Sequence, residues 1–179
     1  MKSSIKKSTY QAIYRLLNRV SPISSDCGRL CGSACCIPGD DNMVIYMLPG
    51  EEKLFSRKED WLKWDWDQAE LYEFPDSWHG RVYTVRCTDP PNCLREMRPL
   101  QCRTFPLAPY LNEDGELSLI LYPQKTPYVC PLVQGEVPLD PRFVKATYTV
   151  WQHLIRDPLI RDLVELDSRA MRHPDHPAY

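Results

Sequence analysis

The stretch CGRLCGSACC, residues 27–36, contains four cysteines within ten residues. Such a concentration of thiols is typical of a disulfide framework, a reactive-cysteine centre or a metal site, and the fold differs in each case. Gly28 and Gly32 interrupt the stretch and allow backbone conformations that other residues avoid. The organisation of the whole chain therefore depends on how these thiols are used.

Geometry argues against a continuous helix here. In a straight helix Cys27, Cys31 and Cys35 would share one face with ~6 Å between successive Cβ atoms. Sulfurs around one tetrahedral zinc lie only ~3.8 Å apart, so we expect a looped path that the metal helps to order. The adjacent Cys35 and Cys36 should diverge, so we expect each to face a different metal or different atoms of a cluster.

The chain has eight cysteines in all, an even number that also suits four disulfides. The N-terminal segment, residues 1–20, carries lysines and no unbroken apolar run, so it does not resemble a secretory signal. We therefore expect a cytoplasmic protein with reduced thiols, and metal ligation rather than disulfides. Eight thiolates suit two four-cysteine sites, holding zinc or iron, the latter including a 4Fe-4S cluster. The candidate ligands are Cys27, Cys31, Cys35, Cys36, Cys87, Cys93, Cys102 and Cys130.

Composition and patterning predict an α+β fold. The 179 residues suffice for one domain, 1–179, and 17 prolines indicate an irregular, proline-rich chain with long connections. We expect an N-terminal helix within 1–20, a cysteine-cluster metal-binding core at 27–131, and C-terminal helices at 140–172. A small antiparallel sheet with flanking helices would be pinned by the metal.

Individual elements follow from local signals. Alternating tryptophans and aspartates in WLKWDWD, residues 61–67, predict a strand, as do residues 81–86, which lead into Cys87. Residues 117–122 predict another strand after a turn at 112–115, and the apolar run 43–48 has strand length. Asp140-Pro141 and Asp157-Pro158 are typical of helix starts, as is Pro49-Gly50-Glu51-Glu52.

Arginines accompany the cysteines along the chain. Four thiolates around a divalent ion carry net negative charge, which a partly buried site must offset. Guanidinium groups that donate to the sulfurs would lower the thiol pKa values and tune a redox potential. The arginines beside cysteines are Arg29, Arg86, Arg95, Arg98 and Arg103.

A second motif, RPLQCRTFP at residues 98–106, surrounds Cys102. Pro99 and Pro106 fix φ on both sides, so we expect Cys102 on a stiff, non-helical stretch. Arg98 and Arg103 should bracket its thiolate, and Phe105 should shield it from water.

Together, CGRLCGSACC and RPLQCRTFP resemble the YkgJ-type cysteine-cluster proteins, the zinc- or iron-chelating CxxCxxCC family, which is largely bacterial and archaeal. The second motif fits the family's RPxxCRxFP pattern at every fixed position, and the resemblance covers residues 27–131. The early cysteines depart from it, with three intervening residues where the family has two. The resemblance implies a metal-binding protein and no established reaction.

Other function classes find little support. The net charge of −2 and scattered basic residues disfavour nucleic acid as a partner, and no run approaches the ~18 apolar residues of a membrane span. No enzyme motif is recognisable, and the best histidine ligand is His79, which could reach the sheet end near Cys87. Two alternatives stay open: an iron–sulfur redox or accessory enzyme, and a zinc-stapled module whose aromatic surface, residues 61–72, docks another protein.

Overall fold

The computed structural model describes residues 2–36, 44–88, 93–122, 126 and 128–172, and it shows helices combined with two small antiparallel sheets. The α+β prediction is confirmed. Four short 3₁₀ turns, at Ala34–Cys36, Glu51–Leu54, Ala69–Leu71 and Arg95–Met97, accompany the longer elements in this part of the chain. The helices are α1 (Lys7–Leu17), α2 (Gly28–Cys31), α3 (Leu100–Thr104), α4 (Pro141–Leu154) and α5 (Pro158–Met171). The strands are β1 (Ile45–Tyr46), β2 (Leu62–Gln68), β3 (Arg81–Cys87), β4 (Leu107–Leu111) and β5 (Leu117–Leu121).

The larger sheet has the order β1-β3-β2, and both of its strand pairs are antiparallel. Trp66 lies opposite Tyr83 and Trp64 opposite Val85, so the alternation in WLKWDWD does mark a strand. The apolar run 43–48 contributes only the two residues of β1, and Met43 lies outside the described residues. The predicted strand leading into Cys87 is also present, as β3.

A β4–β5 hairpin forms the second sheet. Strand β5 and the turn before it were predicted, but β4 was not, because Pro109 lies in its middle. A two-stranded sheet consists of edge strands only, and an edge strand tolerates a residue that cannot donate a hydrogen bond. Pro109 sits opposite Leu119 in this ladder.

The long helices begin where the sequence predicts. Asp140 and Asp157 are their N-caps, and each accepts a backbone N–H two residues on, at 2.8 Å and 3.1 Å respectively. Helix α1 is shorter than the predicted range 1–20 because it starts only at Lys7. One face of α4 is buried, with Phe143, Val150 and Leu154 at most 1% exposed.

One hydrophobic cluster contains residues of α1, the three-stranded sheet, α4 and α5. Tyr10 and Leu17 of α1 belong to it, together with Val82 and Val85 of β3. The indole N–H of Trp78 donates to the Leu159 carbonyl at 2.8 Å, which ties the sheet side of the core to α5. None of the helices in the described part of the chain is both long and apolar enough to cross a bilayer.

The buried carboxylate of Glu51 connects α1 to α3. The Glu51 carboxylate, 1% exposed, accepts from the Tyr14 hydroxyl at 2.6 Å and from the Leu100 N–H, at the start of α3, at 2.7 Å. Its second oxygen accepts from the Leu48 N–H at 3.0 Å. Burial raises the pKa of Glu51, while these donors oppose the rise. The carboxylate thus supports both the first helix and the segment that carries Cys102.

Helix α3 corrects the prediction of a non-helical path around Cys102. Pro99 stands just before the helix and Phe105-Pro106 follows it, so the prolines bound the helical turn and do not exclude it. The N–H of Leu100 lacks a partner inside the helix, and the Glu51 carboxylate supplies one. Sequence alone gives no sign of this partner, because Glu51 lies 49 residues away.

Replacing Glu51 by Gln tests this support. The amide NH₂ would face a backbone N–H in place of an acceptor oxygen, leaving a buried donor unpaired. We expect the free energy of unfolding to fall by about 2 kcal/mol or more in urea titrations. The control Glu52→Gln, one residue along, should change it by less than ~0.5 kcal/mol. Equal effects of the two substitutions would contradict the assigned role.

Candidate metal centre

The path of residues 27–36 is looped, as the spacing of the cysteines predicts. Helix α2 ends at Cys31; its C-cap Gly32 adopts φ +61°, and Ser33 follows with φ +60°. The 3₁₀ turn Ala34–Cys36 then carries the last two thiols. Two successive left-handed residues thus reverse the chain and separate Cys35 and Cys36 from the helical face of Cys31.

The adjacent cysteines converge. The Sγ atoms of Cys35 and Cys36 lie 3.8 Å apart, so the expectation that these side chains diverge is wrong. The tight 3₁₀ turn brings them to one side, with the Cys36 N–H donating to the Ser33 carbonyl at 2.7 Å. Their separation equals the ~3.8 Å between two sulfurs bound to one tetrahedral zinc. The pair therefore fits two ligands of a single metal.

Mutual hydrogen bonding changes how this pair titrates. The hydrogen bond that Cys36 Sγ accepts from the Cys35 thiol lowers the pKa of Cys36 to about 6. The same bond, followed by burial, raises the pKa of Cys35. One negative charge is therefore favoured on the pair near neutral pH, while a second is opposed.

Cys102 brings a distant part of the chain to the same place. It is exposed, yet crowding by protein atoms removes enough hydration to raise the pKa of its thiol to about 12. Repulsion from Cys36 and Cys93 adds to the rise, and Arg98 opposes it. Thiols of three segments, at residues 35–36, 93 and 102, thus lie within electrostatic reach of one another.

Arg98 behaves as predicted and Arg103 does not. The Arg98 Nε–H donates to Cys93 Sγ at 3.0 Å, and its charge also lowers the pKa of Cys36, after the bond from Cys35. The Arg103 guanidinium instead donates to the carbonyls of Tyr14 at 2.9 Å and Arg95 at 3.0 Å. It also donates to the Asn18 side chain. The expectation that Arg103 brackets Cys102 is therefore wrong, because its charge caps the end of α1.

Arg95 has a mixed role. One of its terminal nitrogens donates to the Val20 carbonyl at 2.6 Å, so it joins the segment after α1 to the turn Arg95–Met97. Its charge still reaches Cys27, whose pKa is raised by burial and then by Asp26, with Arg95 acting in the opposite direction. Arg29 is exposed at the rim, beside the predicted ligands.

Tyr128 links further cysteines to the group and was not predicted. Burial raises its pKa, and charge on Cys35, Cys130 and Cys102 would raise it further. Its ring lies 6.4 Å from that of Phe105, edge to face. Cys130 is 7% exposed, just beyond this phenol. Phe105 thus packs against other aromatic rings, while Cys102 is exposed, so the shielding of Cys102 by Phe105 stays a prediction.

Three further candidate ligands, Cys31, Cys87 and His79, have weaker links or none to the thiols described above. Cys27 lies within electrostatic reach of Cys35, and Cys31 within reach of Cys27. Cys87 ends β3 opposite Leu62, and its membership of the centre stays a prediction. His79 faces Glu70 on the surface, 3.6 Å from Nδ1 to Oε1, with a side chain 75% exposed. It is therefore engaged away from the thiols.

The thiols do not form a finished coordination shell. Across the described segments, no group of three or more His, Cys, Asp and Glu side chains is placed to hold one metal ion. Two thiols already stand at ligand spacing, and others surround them at electrostatic range. Binding would require side chains of residues 27–36, 93 and 102 to move inward. The residues fit a thiolate site that closes around its metal.

Comparison of the chain with protein-family models, curated proteins and solved structures found no match in any of the three. The resemblance to the YkgJ-type proteins therefore stays a prediction that rests on the two motifs.

Substitution of Arg98 by Gln tests its contact with Cys93. The change removes one charge and the N–H···S bond while leaving the thiols in place. We expect metal affinity to fall ~10- to 100-fold, as for other groups that hydrogen-bond a metal ligand, with little change in the far-ultraviolet circular dichroism spectrum. Competition with a chromogenic chelator measures the affinity. Arg29→Gln, at the exposed rim, is the control; an equal loss there would mean that net charge alone matters.

Proposed function

We propose that this protein binds zinc or iron through a centre of cysteine thiolates. The observation that carries the proposal is the 3.8 Å spacing of Cys35 and Cys36 Sγ within electrostatic reach of Cys102. This separation matches that of two sulfur ligands of one tetrahedral site, and further thiols are within electrostatic reach. The family resemblance points to the same chemistry.

Charge supports the proposal. The hydrogen bond with Cys36 raises the pKa of Cys35 and desolvation raises that of Cys102, and repulsion from neighbouring thiolates adds to both shifts. The thiols would lose their protons on binding a divalent ion, whose charge would offset the repulsion between the thiolates. Arg98 compensates part of the remaining negative charge at Cys93. The thiols must be reduced for this, which suits a cytoplasmic protein.

Several of the predicted ligands lie on short or irregular elements. Helix α2 has four residues and α3 has five, and the loop around Cys130 has no regular structure before the turn that follows. Isolated elements of this length are unstable in water. When bound, zinc would cross-link them, and iron would add the capacity for electron transfer. The metal would then act as part of the fold.

Cys102→Ser tests the centre directly. A serine hydroxyl is a poor ligand for zinc and iron at neutral pH, so we expect loss of bound metal and a lower thermal midpoint in the variant. Elemental analysis gives metal per chain, and calorimetry gives the midpoint with and without chelator. Ser33→Ala, in the cysteine loop, is the control and should retain metal. The proposal would be contradicted if Cys102→Ser kept its full metal content, or if the thermal midpoint of the wild type did not change when a chelator was added.

The same wild-type sample separates the redox alternative from the structural one. Thiolate-bound iron with acid-labile sulfide gives a brown protein whose visible absorbance bleaches with dithionite. That outcome would favour an iron–sulfur redox or accessory enzyme. Colourless protein that contains stoichiometric zinc would assign the centre a mainly structural role.

A second candidate function, docking of another protein, is favoured by one surface. Trp66 of β2 is 46% exposed and lies opposite Tyr83 of β3. The Arg81 guanidinium lies 4.0 Å from the centre of the Trp66 ring, and Arg57 lies 4.3 Å from that of Tyr83. Among the described residues, neither arginine pairs with a carboxylate. A partner with acidic and apolar side chains would match this surface.

Trp66→Ala tests the docking surface without touching the core. Since Trp66 is largely exposed, we expect unchanged thermal stability and at least a ~10-fold loss of affinity for any protein that copurifies with the wild type. Tyr148→Ala removes a comparably exposed aromatic residue on α4 and should leave affinity unchanged. Titration calorimetry with the purified partner measures both; equal affinities for the two variants would exclude the surface.

A further inference from the structure

We propose that Cys35 and Cys36 form a reversible disulfide with each other, and that this bond expels the metal. The first half concerns a modification of two adjacent residues and stands on geometry alone. The second half rests on the proposed function, since it requires a metal held by the same sulfurs.

Proximity is the first observation. The two Sγ atoms lie 3.8 Å apart, and a disulfide requires ~2.05 Å, so the sulfurs need approach by less than ~2 Å. The tight turn Ala34–Cys36 already orients both side chains to one side. Little backbone freedom therefore has to be lost before the bond can form.

Such a bond is strained, which makes it reversible. Consecutive Cα atoms are ~3.8 Å apart, whereas those of ordinary disulfides lie ~4.4–6.8 Å apart. Strain raises the reduction potential, so a cellular dithiol can reopen the bond. A disulfide between adjacent residues is therefore better suited to reversible redox control than to permanent cross-linking.

Access is the second observation. Cys35 and Cys36 are both half-buried, so part of each side chain stays open to a small reagent. We name the oxidant as a low-molecular-weight disulfide, RSSR, such as oxidised glutathione. Cys130, at 7% exposure, offers such a reagent far less surface.

The chemistry balances as two exchange steps. One protein thiolate attacks RSSR, forming a mixed disulfide and releasing RS⁻. The neighbouring thiolate attacks the protein sulfur of that mixed disulfide and displaces the second RS⁻. Two protein thiols are oxidised, one RSSR is reduced to two RSH, and the two protons from the protein pass to the leaving thiolates.

Oxidation would remove two ligands at once. Disulfide sulfurs carry no negative charge and bind zinc or iron far more weakly than thiolates do. The remaining thiols lie on separate segments and would have to hold the metal without the best-positioned pair. Metal release would therefore follow disulfide formation, and reduction would restore the site.

Peptide mapping tests the bond. Reduced, metal-free protein is treated with oxidised glutathione, free thiols are alkylated, and tryptic fragments are sequenced by mass spectrometry. We expect Cys35 and Cys36 to be unalkylated together in a fragment lighter by two hydrogens. The variants Cys35→Ser and Cys36→Ser should instead trap one glutathione on the surviving thiol. Alkylation of both residues, or their pairing with other cysteines, would overturn the proposal.

A second measurement tests the release. Metal-loaded wild type is exposed to the same oxidant while a chromogenic chelator reports free metal, followed by addition of a dithiol. We expect release in step with the mapped disulfide and rebinding after reduction. Metal that stays bound to disulfide-containing protein overturns the release step. Protein that binds no metal at all would contradict both the proposed function and the release step. Peptide mapping would still show whether Cys35 and Cys36 form a disulfide.

Discussion

The buried carboxylate of Glu51 is the interaction on which the rest of the structure depends. Its two oxygens accept from the Tyr14 hydroxyl and from the N–H groups of Leu48 and Leu100. These donors belong to three parts of the chain that share no secondary structure. A carboxylate in the interior is stable only where several donors satisfy it, so its position fixes all three parts together. Helix α3, which carries Cys102, is held at its first residue by this bond.

The two arginines of the RPLQCRTFP segment have different roles: Arg103 stabilises the fold, and Arg98 contacts a cysteine of the candidate metal centre. Arg103 turns inward, stacks on Tyr14 with 4.6 Å from its guanidinium carbon to the ring centre, and donates to carbonyls near the end of α1. Burial lowers the pKa of Arg103 to about 10, a cost that these contacts offset. Arg98 turns outward to Cys93. Arg103 thus attaches the segment that carries Cys102 to the core, and Arg98 hydrogen-bonds the thiol of Cys93.

Sequence reasoning succeeded where the signals are local. The Asp-Pro pairs at 140–141 and 157–158 start helices, and the alternating tryptophans form a strand, because caps and side-chain periods act within a few residues. It failed where the partner is distant, as for α3, whose first N–H is satisfied by Glu51, and for Arg103. It also failed for the adjacent thiols, since the convergence of Cys35 and Cys36 depends on backbone reversal at Gly32 and Ser33. That the eight cysteines form one metal centre stays a prediction, whereas the different roles of Arg98 and Arg103 could not be predicted.

X-ray absorption spectroscopy at the metal edge, on protein purified without air, tests the central claim most directly. A thiolate centre predicts a stoichiometric metal with a first shell of about four sulfurs, at ~2.3 Å if the metal is zinc. Iron–iron scattering in the same spectrum would identify a cluster. A shell of nitrogen and oxygen alone, or protein with no stoichiometric metal after reduced thiols have been verified, would contradict the claim that these cysteines form a metal centre.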